Sequence, residues 1–305
     1  MTDNTKSYIL ASVAVIFWST IATAFKIALK ELSPGQLLFI ASCTAVVILT
    51  IISIVEGKIK ALFRAGLKDI LMSALLGLLN PFVYYLVLLK AYTLLPAQVA
   101  QPLNMIWPIV LVFLSVPMLK QKIPARSFLA LFISFAGVYL VSSQGQPLNP
   151  GKSDWLGVLL ATGSSIFWAL YFILNLKDKR DESNKLLLNF LIASVYIAIY
   201  LIITGDFGNM SIEGMMAAIY TGIFEMGLTF YLWLKALKLA KTTDKISSLV
   251  FLAPFLSLVF ISIFLGEHIY LTTFFGLILI VGGILFQRLK RPKQIGIGMG
   301  MRNLE

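Results

Sequence analysis

The sequence has very little cysteine, histidine or charge for its 305 residues. Its one cysteine, Cys43, cannot form a disulfide within the chain. Cysteine and histidine are common ligands of zinc and haem iron, and the one histidine, His268, has no such partners nearby in the sequence, so we expect no metal site and no cofactor. Asp, Glu, Lys and Arg make up 13% of the chain, whereas soluble globular proteins carry about 25%. The chain is therefore too poor in charge to be an ordinary soluble protein.

Apolar residues make up 59% of the chain, and the mean hydropathy is +0.89. A folded soluble domain of this size does not have enough interior to bury so much apolar surface. The net charge of +11 would suit nucleic acid only if the basic residues were clustered within polar sequence. They lie instead in short segments between apolar runs, so we expect a lipid bilayer as the partner and no nucleic acid.

Ten apolar runs are long enough to cross a bilayer, which takes about 20 residues for each helix. The third and fourth runs are divided at Pro96, which predicts a turn in an otherwise uncharged stretch. The predicted spans are 8–29, 34–55, 69–89, 97–118, 126–143, 154–176, 186–204, 212–234, 244–265 and 270–288.

The positions of the basic residues predict the orientation of these spans. With the N-terminus in the cytoplasm, only Lys26, Lys30, Lys90 and Lys152 of the 25 basic residues fall on the outer side. Lysine and arginine accumulate in cytoplasmic loops. We therefore predict a multi-pass protein of the cell (inner) membrane with both termini in the cytoplasm.

The two halves of the chain share short segments in the same order. An odd number of helices in each half places the second half in the opposite orientation. We therefore predict an all-α integral membrane fold with ten transmembrane helices in two inverted five-helix repeats, residues 1–143 and 154–288, followed by a cytoplasmic tail, 289–305. Such repeats are typical of secondary transporters, which hold their substrate near the midplane. The matching segments are Ile16-Phe17-Trp18 with Ile166-Phe167-Trp168, Leu89-Lys90-Ala91 with Leu234-Lys235-Ala236, Pro108 with Pro254, and Gly137 with Gly283.

Several motifs along the chain together resemble the EamA-like families of the drug/metabolite transporter superfamily. The resemblance covers essentially the whole chain, and it implies export of metabolites such as amino acids, driven by ion gradients or exchange and without ATP. The motifs are Phe17-Trp18-Ser19-Thr20, Lys26, Ser33-Pro34, Lys90-Ala91-Tyr92, Tyr231-Leu232-Trp233, Lys235-Ala236-Leu237, Pro254, Gly266-Glu267 and Gly282-Gly283.

One segment narrows the resemblance within the superfamily. Asn104-Met105-Ile106-Trp107-Pro108, followed by Gln121-Lys122, is similar to the aromatic amino-acid exporter branch. Residues 38–42 depart from the family pattern, because they read Leu-Phe-Ile-Ala-Ser where many relatives carry an arginine. Any substrate contact ascribed to that arginine is therefore not expected here.

Glu225 stands in the middle of the predicted eighth span, far from any other charged residue in the sequence. A charged side chain at that depth costs about 2.5–3.5 kcal/mol, so it should face a cavity or a partner. Glu225 is a candidate proton carrier or a partner for a substrate ammonium group; the alternative is a protonated acid that joins two helices. The repeat places Glu225 opposite Asn80, which is a second candidate. The alternative for Asn80 is an interhelical hydrogen bond.

Aromatic and polar residues inside the spans complete the predicted substrate site. Such rings can line a pocket or stack on a substrate, and ordinary helix packing is the alternative. Lys26 matches a family lysine, which implies a gating or binding role, although it can also extend to the outer surface. Trp155 and Trp233 lie near predicted span ends and are expected to be interfacial anchors. The further candidates are Trp18, Tyr84, Trp107, Trp168 and Tyr171, with Asn104 added from the resemblance.

These residues bear on three classes of function. An exporter of small organic metabolites suits the inverted repeat, with aromatic or large neutral amino acids as the first class of cargo and drugs or other hydrophobic metabolites as the second. A membrane enzyme would need a cluster of catalytic side chains at one membrane face, but Glu225 is alone in the interior of the spans. A receptor or assembly subunit would not need a repeat. Ten spans are sufficient for a complete pathway, so we expect a functional monomer, with protons as a candidate coupling ion.

Overall fold

The computed structural model describes residues 2–119, 125–148, 153–240, 246 and 248–288, and this part of the chain is helical, without strands. Eight of its helices are long and apolar enough to cross a membrane, and two shorter apolar helices follow near the C-terminus. In chain order the helices are α1 Asp3–Glu31, α2 Pro34–Val55, α3 Leu67–Leu94, α4 Ala97–Met118, α5 Ala125–Ser142, α6 Trp155–Lys177, α7 Glu182–Thr204, α8 Ile212–Leu239, α9 Leu249–Leu265 and α10 Leu271–Gln287.

These helices confirm an all-helical membrane protein with several spans. The predicted spans 34–55 and 97–118 coincide with α2 and α4, whereas α8 continues past its predicted end at 234 to Leu239. The tail 289–305 and the Gln121-Lys122 segment lie outside the described residues.

Several helices begin at residues that the sequence marks as caps. The hydroxyl of Ser33 accepts a hydrogen bond from the Gln36 N–H at 3.1 Å, and the Gln36 side chain accepts one from the Ser33 N–H at 3.1 Å. This reciprocal pair, with Pro34 at the first helical position, satisfies backbone donors that a helix start leaves free. Asp154 caps α6 with its side chain alone, which accepts a hydrogen bond from the Gly157 N–H at 2.9 Å. Local chemistry therefore fixes where these helices start.

Helices α2 and α7 are joined by polar contacts along their whole length. Since α2 belongs to the first half of the chain and α7 to the second, these contacts tie the two halves together. The contacts are Ser33 with Asp206, Gln36 with the Gly208 carbonyl at 3.3 Å, Ser42 with Ser194 at 3.0 Å, Ser53 with Asn184 at 3.0 Å and Lys58 with Asp181 at 2.8 Å.

The α6–α7 loop carries an ion pair close to these contacts between α2 and α7. Arg180 contacts Asp178 at 2.6 Å and donates to the Ser73 hydroxyl of α3 at 2.8 Å. Burial alone would raise the pKa of Asp178, but hydrogen bonds from the side chain and backbone of Arg180 outweigh it and the pKa lies below its usual range. The loop is therefore anchored to α3 in its charged form.

Helices α5 and α10 form a second close pair between the two halves. A β-carbon at Gly137 would lie 2.5 Å from the Gly276 carbonyl oxygen, and one at Gly276 would lie 2.7 Å from the Gly137 carbonyl oxygen. Small residues let membrane helices approach this closely. The α2–α7 and α5–α10 pairs thus both join the first half of the chain to the second.

Two of the remaining six helices are interrupted. Helix α3 widens into a π-helical turn over Leu78–Val83, where Asn80 leaves helical geometry with φ −148° and ψ 121°. Pro81 contributes to this break because it has no N–H to donate. Helix α8 widens in the same way over Gly222–Gly227. Interruptions of this kind occur often at functional sites.

Candidate transport site

A cavity of about 190 Å³ lies between α1, α3, α4, α6, α8 and α9. Most of its wall is apolar or aromatic, as is usual for a site that binds small organic molecules. Six of the residues predicted from the sequence line it: Trp18, Tyr84, Asn104, Trp107, Trp168 and Glu225.

Glu225 is the acidic residue among the described residues of the cavity wall, and it lies in the interruption of α8. Its Oε1 accepts a hydrogen bond from the Tyr85 hydroxyl at 2.7 Å. Tyr85 itself is held by an edge-on contact with the ring of Phe25 at 6.2 Å. The other oxygen, Oε2, makes no hydrogen bond with a described residue. One oxygen of the carboxyl group is thus positioned by the protein, and the other is left for a ligand.

Aromatic rings form a continuous wall from α1 to α4. The ring of Trp18 contacts those of Trp233 at 5.2 Å and Phe230 at 5.7 Å. Phe230 contacts Trp168 at 6.1 Å, and Trp168 contacts Trp107 at 6.2 Å. The faces of such rings attract cations and stack on planar groups. The wall can therefore hold an aromatic or positively charged part of a substrate.

Asn104 connects three helices at the edge of the cavity. Its Oδ1 accepts a hydrogen bond from the Tyr84 hydroxyl of α3 at 3.1 Å, and its Nδ2 donates one to the Ser164 hydroxyl of α6 at 2.8 Å. Nearby, Gln101 also lines the cavity, and its Oε1 has no partner among the described residues. Because the polar atoms of Asn104 are engaged within the protein, Gln101 is the amide better able to reach a ligand.

Asn80 and Tyr171 do not line this cavity. Asn80 is 3% exposed, and Tyr171 on α6 lies beside it, together with Asn189 of α7. The break in α3 changes the direction of the chain at Asn80, so Asn80 and Tyr84 do not share a face as they would in a continuous helix. The structure therefore separates Asn80 from Glu225.

Lys26 also lies away from the central cavity. Its ammonium group donates to the carbonyl oxygens of Tyr92 at 2.9 Å and Leu95 at 3.1 Å, at the C-terminal end of α3. A cation is favourable there because the last carbonyls of a helix lack partners. Lys26 lines a separate, open pocket with Gln98, Glu267 and His268.

Glu267 holds the start of α4 from the α9–α10 turn. Its carboxylate accepts hydrogen bonds from the backbone N–H groups of Ala97 at 2.8 Å and Gln98 at 3.1 Å. The Gln98 side chain in turn donates to the His268 carbonyl at 2.8 Å. We call Lys26, Ala97, Gln98 and Glu267 the α4 clasp. It joins both halves of the chain at one end of the bundle.

The interpretation of Trp233 as an interfacial anchor is wrong. Trp233 is 3% exposed and lines the cavity, because α8 continues to Leu239 and places Trp233 more than a turn inside the helix. Trp155, in contrast, is 74% exposed near the start of α6. Phe230 and Gln101 were also missed. The nearest sequence signal for Phe230 was the adjacent Tyr231-Leu232-Trp233 motif.

Comparison with known proteins agrees with this architecture. The model of the EamA-like transporter family matches residues 5–143 and 155–288. An uncharacterized transporter of Bacillus subtilis (strain 168), YvbV, is 27% identical, with 98% of this chain and 96% of the relative covered. An uncharacterized transporter of Archaeoglobus fulgidus is 24% identical, with 94% and 99% covered. One solved crystal structure superposes with a TM-score of 0.66 at 18% identity, over 93% of this chain and 96% of its own.

A multi-pass helical protein with a central cavity and relatives of this kind is a membrane transporter. More narrowly, the chain belongs to the EamA-like transporter family, within the drug/metabolite transporter superfamily.

Proposed function

We propose that the chain is a secondary transporter that exports small organic metabolites by alternating access, with aromatic or large neutral amino acids as the leading class. The observation that carries this proposal is the position of Glu225. It presents a carboxyl group to an aromatic cavity from an interrupted helix. Transporters commonly hold substrate groups and coupling ions at such interruptions.

The cavity offers a partner for each part of an aromatic amino acid. Glu225 suits the ammonium group, and the rings of Trp18 and Trp168 suit the side chain. The amide of Gln101 can donate a hydrogen bond to the substrate carboxylate. These roles, together with those predicted for Tyr84, Asn104 and Trp107, define the proposed binding site.

Alternating access requires two arrangements of similar energy, which inverted repeats supply. The proposal of two inverted five-helix repeats is supported by the interruptions of α3 and α8, which occupy corresponding positions. It is supported further by the close pairing of α2 with α7 and of α5 with α10. We propose that these pairs stay fixed while the other helices move around the cavity.

A proton on Glu225 is the proposed coupling ion. A carboxyl group that faces the cavity can exchange a proton for a substrate ammonium group, so that one cation leaves as the other arrives. We further propose that the protein acts as a monomer in the inner membrane with both termini in the cytoplasm, as the basic loops predict.

Hydrophobic drugs or organic cations are the second candidate cargo. The observation that favours them is the aromatic wall formed by Trp18, Phe230, Trp233 and Trp168 next to one carboxyl group. Aromatic cages of this kind recognise quaternary ammonium groups. Competition between the two cargo classes for one transport activity would separate the candidates.

The test is counterflow in proteoliposomes with a panel of labelled amino acids, using wild type and Glu225→Gln. The proposal expects one aromatic or large neutral amino acid to exchange in wild type, and the variant to lose that exchange. If no amino acid moves although the protein is folded, the amino-acid class is wrong and organic cations are tested next. If the variant exchanges like wild type, Glu225 is not the substrate partner.

A further inference from the structure

Two asparagines outside the central cavity carry buried polar atoms without partners. Asn80 is 3% exposed and Asn189 is 0% exposed. The Oδ1 of Asn80 and the Oδ1 of Asn189 make no hydrogen bond with the described residues. Such buried atoms are costly unless something satisfies them, and an ion or an ordered water is the usual explanation.

The two amides meet at the interruption of α3. The hydroxyl of Tyr171 lies beside both of them, and the three residues come from α3, α6 and α7. The backbones of α3 and α7 also approach closely here, since a β-carbon at Gly77 would lie 2.5 Å from the Asn189 carbonyl oxygen. We call Asn80, Tyr171 and Asn189 the Asn80 cluster.

The Asn80 cluster includes a backbone carbonyl oxygen of α3 in addition to its side-chain oxygens. Pro81 cannot donate an N–H, so one carbonyl of the preceding turn of α3 is left without its helical donor. Interrupted membrane helices use such carbonyls to coordinate ions. Amide, hydroxyl and carbonyl oxygens together form a neutral, oxygen-rich environment that suits a hard cation and not an anion.

The nearby charges largely cancel, because Asp178 is paired with Arg180 at 2.6 Å and Glu182 with Lys185 at 2.7 Å. The carboxylates of Glu182 and Asp178 are the charged groups that act on Tyr171. A narrow pocket of about 90 Å³ runs along Tyr171 and is lined by both carboxylates. Lys185 lines the same pocket, and with both carboxylates paired the pocket neither strongly attracts nor strongly repels a cation.

We propose that the Asn80 cluster binds a sodium ion. The ligands are Oδ1 of Asn80, Oδ1 of Asn189, the hydroxyl of Tyr171 and a carbonyl oxygen at the break in α3. The ion would enter past Asp178 and Glu182 and would tie α3 to α6 and α7. The Asn80 cluster does not line the cavity around Glu225, although the pocket beside Tyr171 shares Trp168 and Phe230 with that cavity. The inference does not rest on the proposed cargo.

The test is thermal unfolding of the purified protein in detergent, at equal ionic strength in chlorides of sodium, potassium or N-methylglucamine. A ligand that binds the folded state raises the unfolding midpoint in a saturable way. We expect sodium to raise it by about 2 °C or more and the other two cations to leave it unchanged. Equilibrium binding of radioactive sodium should saturate over the same concentration range.

Three variants decide whether the cluster is responsible. Asn189→Leu keeps a similar volume but removes both polar atoms, and it should abolish the sodium-specific shift. Tyr171→Phe removes one hydroxyl group, so it remains informative if Asn189→Leu does not fold. It should weaken the sodium affinity by about 10-fold. Ser257→Ala is the matched control, because the Ser257 hydroxyl on α9 is also buried without a partner but lies outside the cluster.

Two outcomes would overturn the proposal. Equal unfolding midpoints in the three salts would mean that the side-chain amides of Asn80 and Asn189 bind a water molecule or form a hydrogen bond with each other. A sodium-specific shift that survives in both Asn189→Leu and Tyr171→Phe would place the ion elsewhere. Transport of the cargo plays no part in either readout, so a failure here leaves the proposed function unaffected.

Discussion

Helices α3 and α8 are both 28 residues long, and each is interrupted after its first ten or eleven residues. The interruption of α8 presents Glu225 to the central cavity, where Tyr85 holds one of its oxygens. The interruption of α3 places Asn80 between α6 and α7, away from that cavity. The same backbone feature therefore places one side chain in a cavity and the other between packed helices.

The side chains explain why the two environments differ. A carboxyl group that changes charge during transport must reach water or a charged substrate, so it requires a cavity. A neutral amide can be buried fully when other polar groups or an ion surround it. An inverted repeat fixes corresponding backbone positions, but it does not require corresponding chemistry.

The largest effect is expected where each interruption contacts a neighbouring backbone. Gly77→Val and Gly222→Val should both prevent normal folding, since a β-carbon would lie 2.5 Å from the Asn189 and Ala41 carbonyl oxygens respectively. Overpacking at such sites costs roughly 3 kcal/mol. Size-exclusion chromatography of the detergent extract measures the yield of monodisperse protein.

Gly163→Ala is the control for these substitutions, because a β-carbon at Gly163 would meet no atom within 4 Å. Its yield should match wild type. If Gly77→Val gave a normal yield of monodisperse protein while Gly222→Val did not, only the interruption of α8 would require a glycine at its close backbone contact.

Substitution of one tyrosine near each interruption tests whether the breaks in α3 and α8 have different functions. Tyr85→Phe removes the hydrogen bond to Glu225 and should weaken substrate binding about 10-fold or more, as expected for a bond to a charged group. Tyr171→Phe should leave substrate affinity unchanged in a sodium-free medium, because Tyr171 does not line the cavity and phenylalanine keeps the ring that contacts Trp168. Titration of substrate against both variants measures the difference. Equal losses would contradict the separation of the two sites.

The aromatic wall gives a smaller effect. Trp233→Ala removes a ring that contacts Trp18 at 5.2 Å and should weaken binding of an aromatic substrate by about 2- to 10-fold. Trp155→Ala is the matched control at an exposed position and should bind normally. A loss in Trp155→Ala equal to that in Trp233→Ala would mean that the effect comes from general destabilisation.

The smallest effect is expected at the α4 clasp. Glu267→Gln keeps a hydrogen-bond acceptor for Ala97 but removes the charge at the helix start, which contributes about 0.3–1 kcal/mol. The readout uses a Cys43→Ser, Phe25→Cys background, in which the thiol introduced at position 25 lies in the cavity wall. A membrane-impermeant maleimide should react with this thiol up to about 5-fold faster when Glu267→Gln is added. Glu213→Gln, at an exposed position, should label at the starting rate. Unchanged labelling of Glu267→Gln would show that the clasp does not restrain access.

Apolar length was enough to predict the helices. Runs of about 20 apolar residues can satisfy their backbone within a bilayer only as helices, so spans such as 34–55 were read directly from composition. The capping pair at Ser33 and Gln36 likewise depends on neighbouring residues. These features depend only on residues that are close in the chain, so they can be predicted from a single sequence.

The direction of side chains at interrupted helices could not be predicted. Tyr84 and Asn80 would share one face of a continuous helix, but the break at Asn80 separates them. Pro81 indicated a disturbance without giving its direction, and α8 is interrupted without any proline. The inward position of Trp233 depended on where α8 ends. Packing between distant helices decides these points, and local sequence patterns do not report it.

The measurement that tests the account most directly is substrate binding followed by intrinsic tryptophan fluorescence in a sodium-free medium. A Trp155→Phe background leaves the four tryptophans of the cavity wall, Trp18, Trp107, Trp168 and Trp233, as the reporters. We expect a saturable change for the background protein and for Asn80→Ala, and its loss in Glu225→Gln. Undiminished binding in Glu225→Gln, or loss of binding in Asn80→Ala alone, would contradict the assignment of the cavity to Glu225.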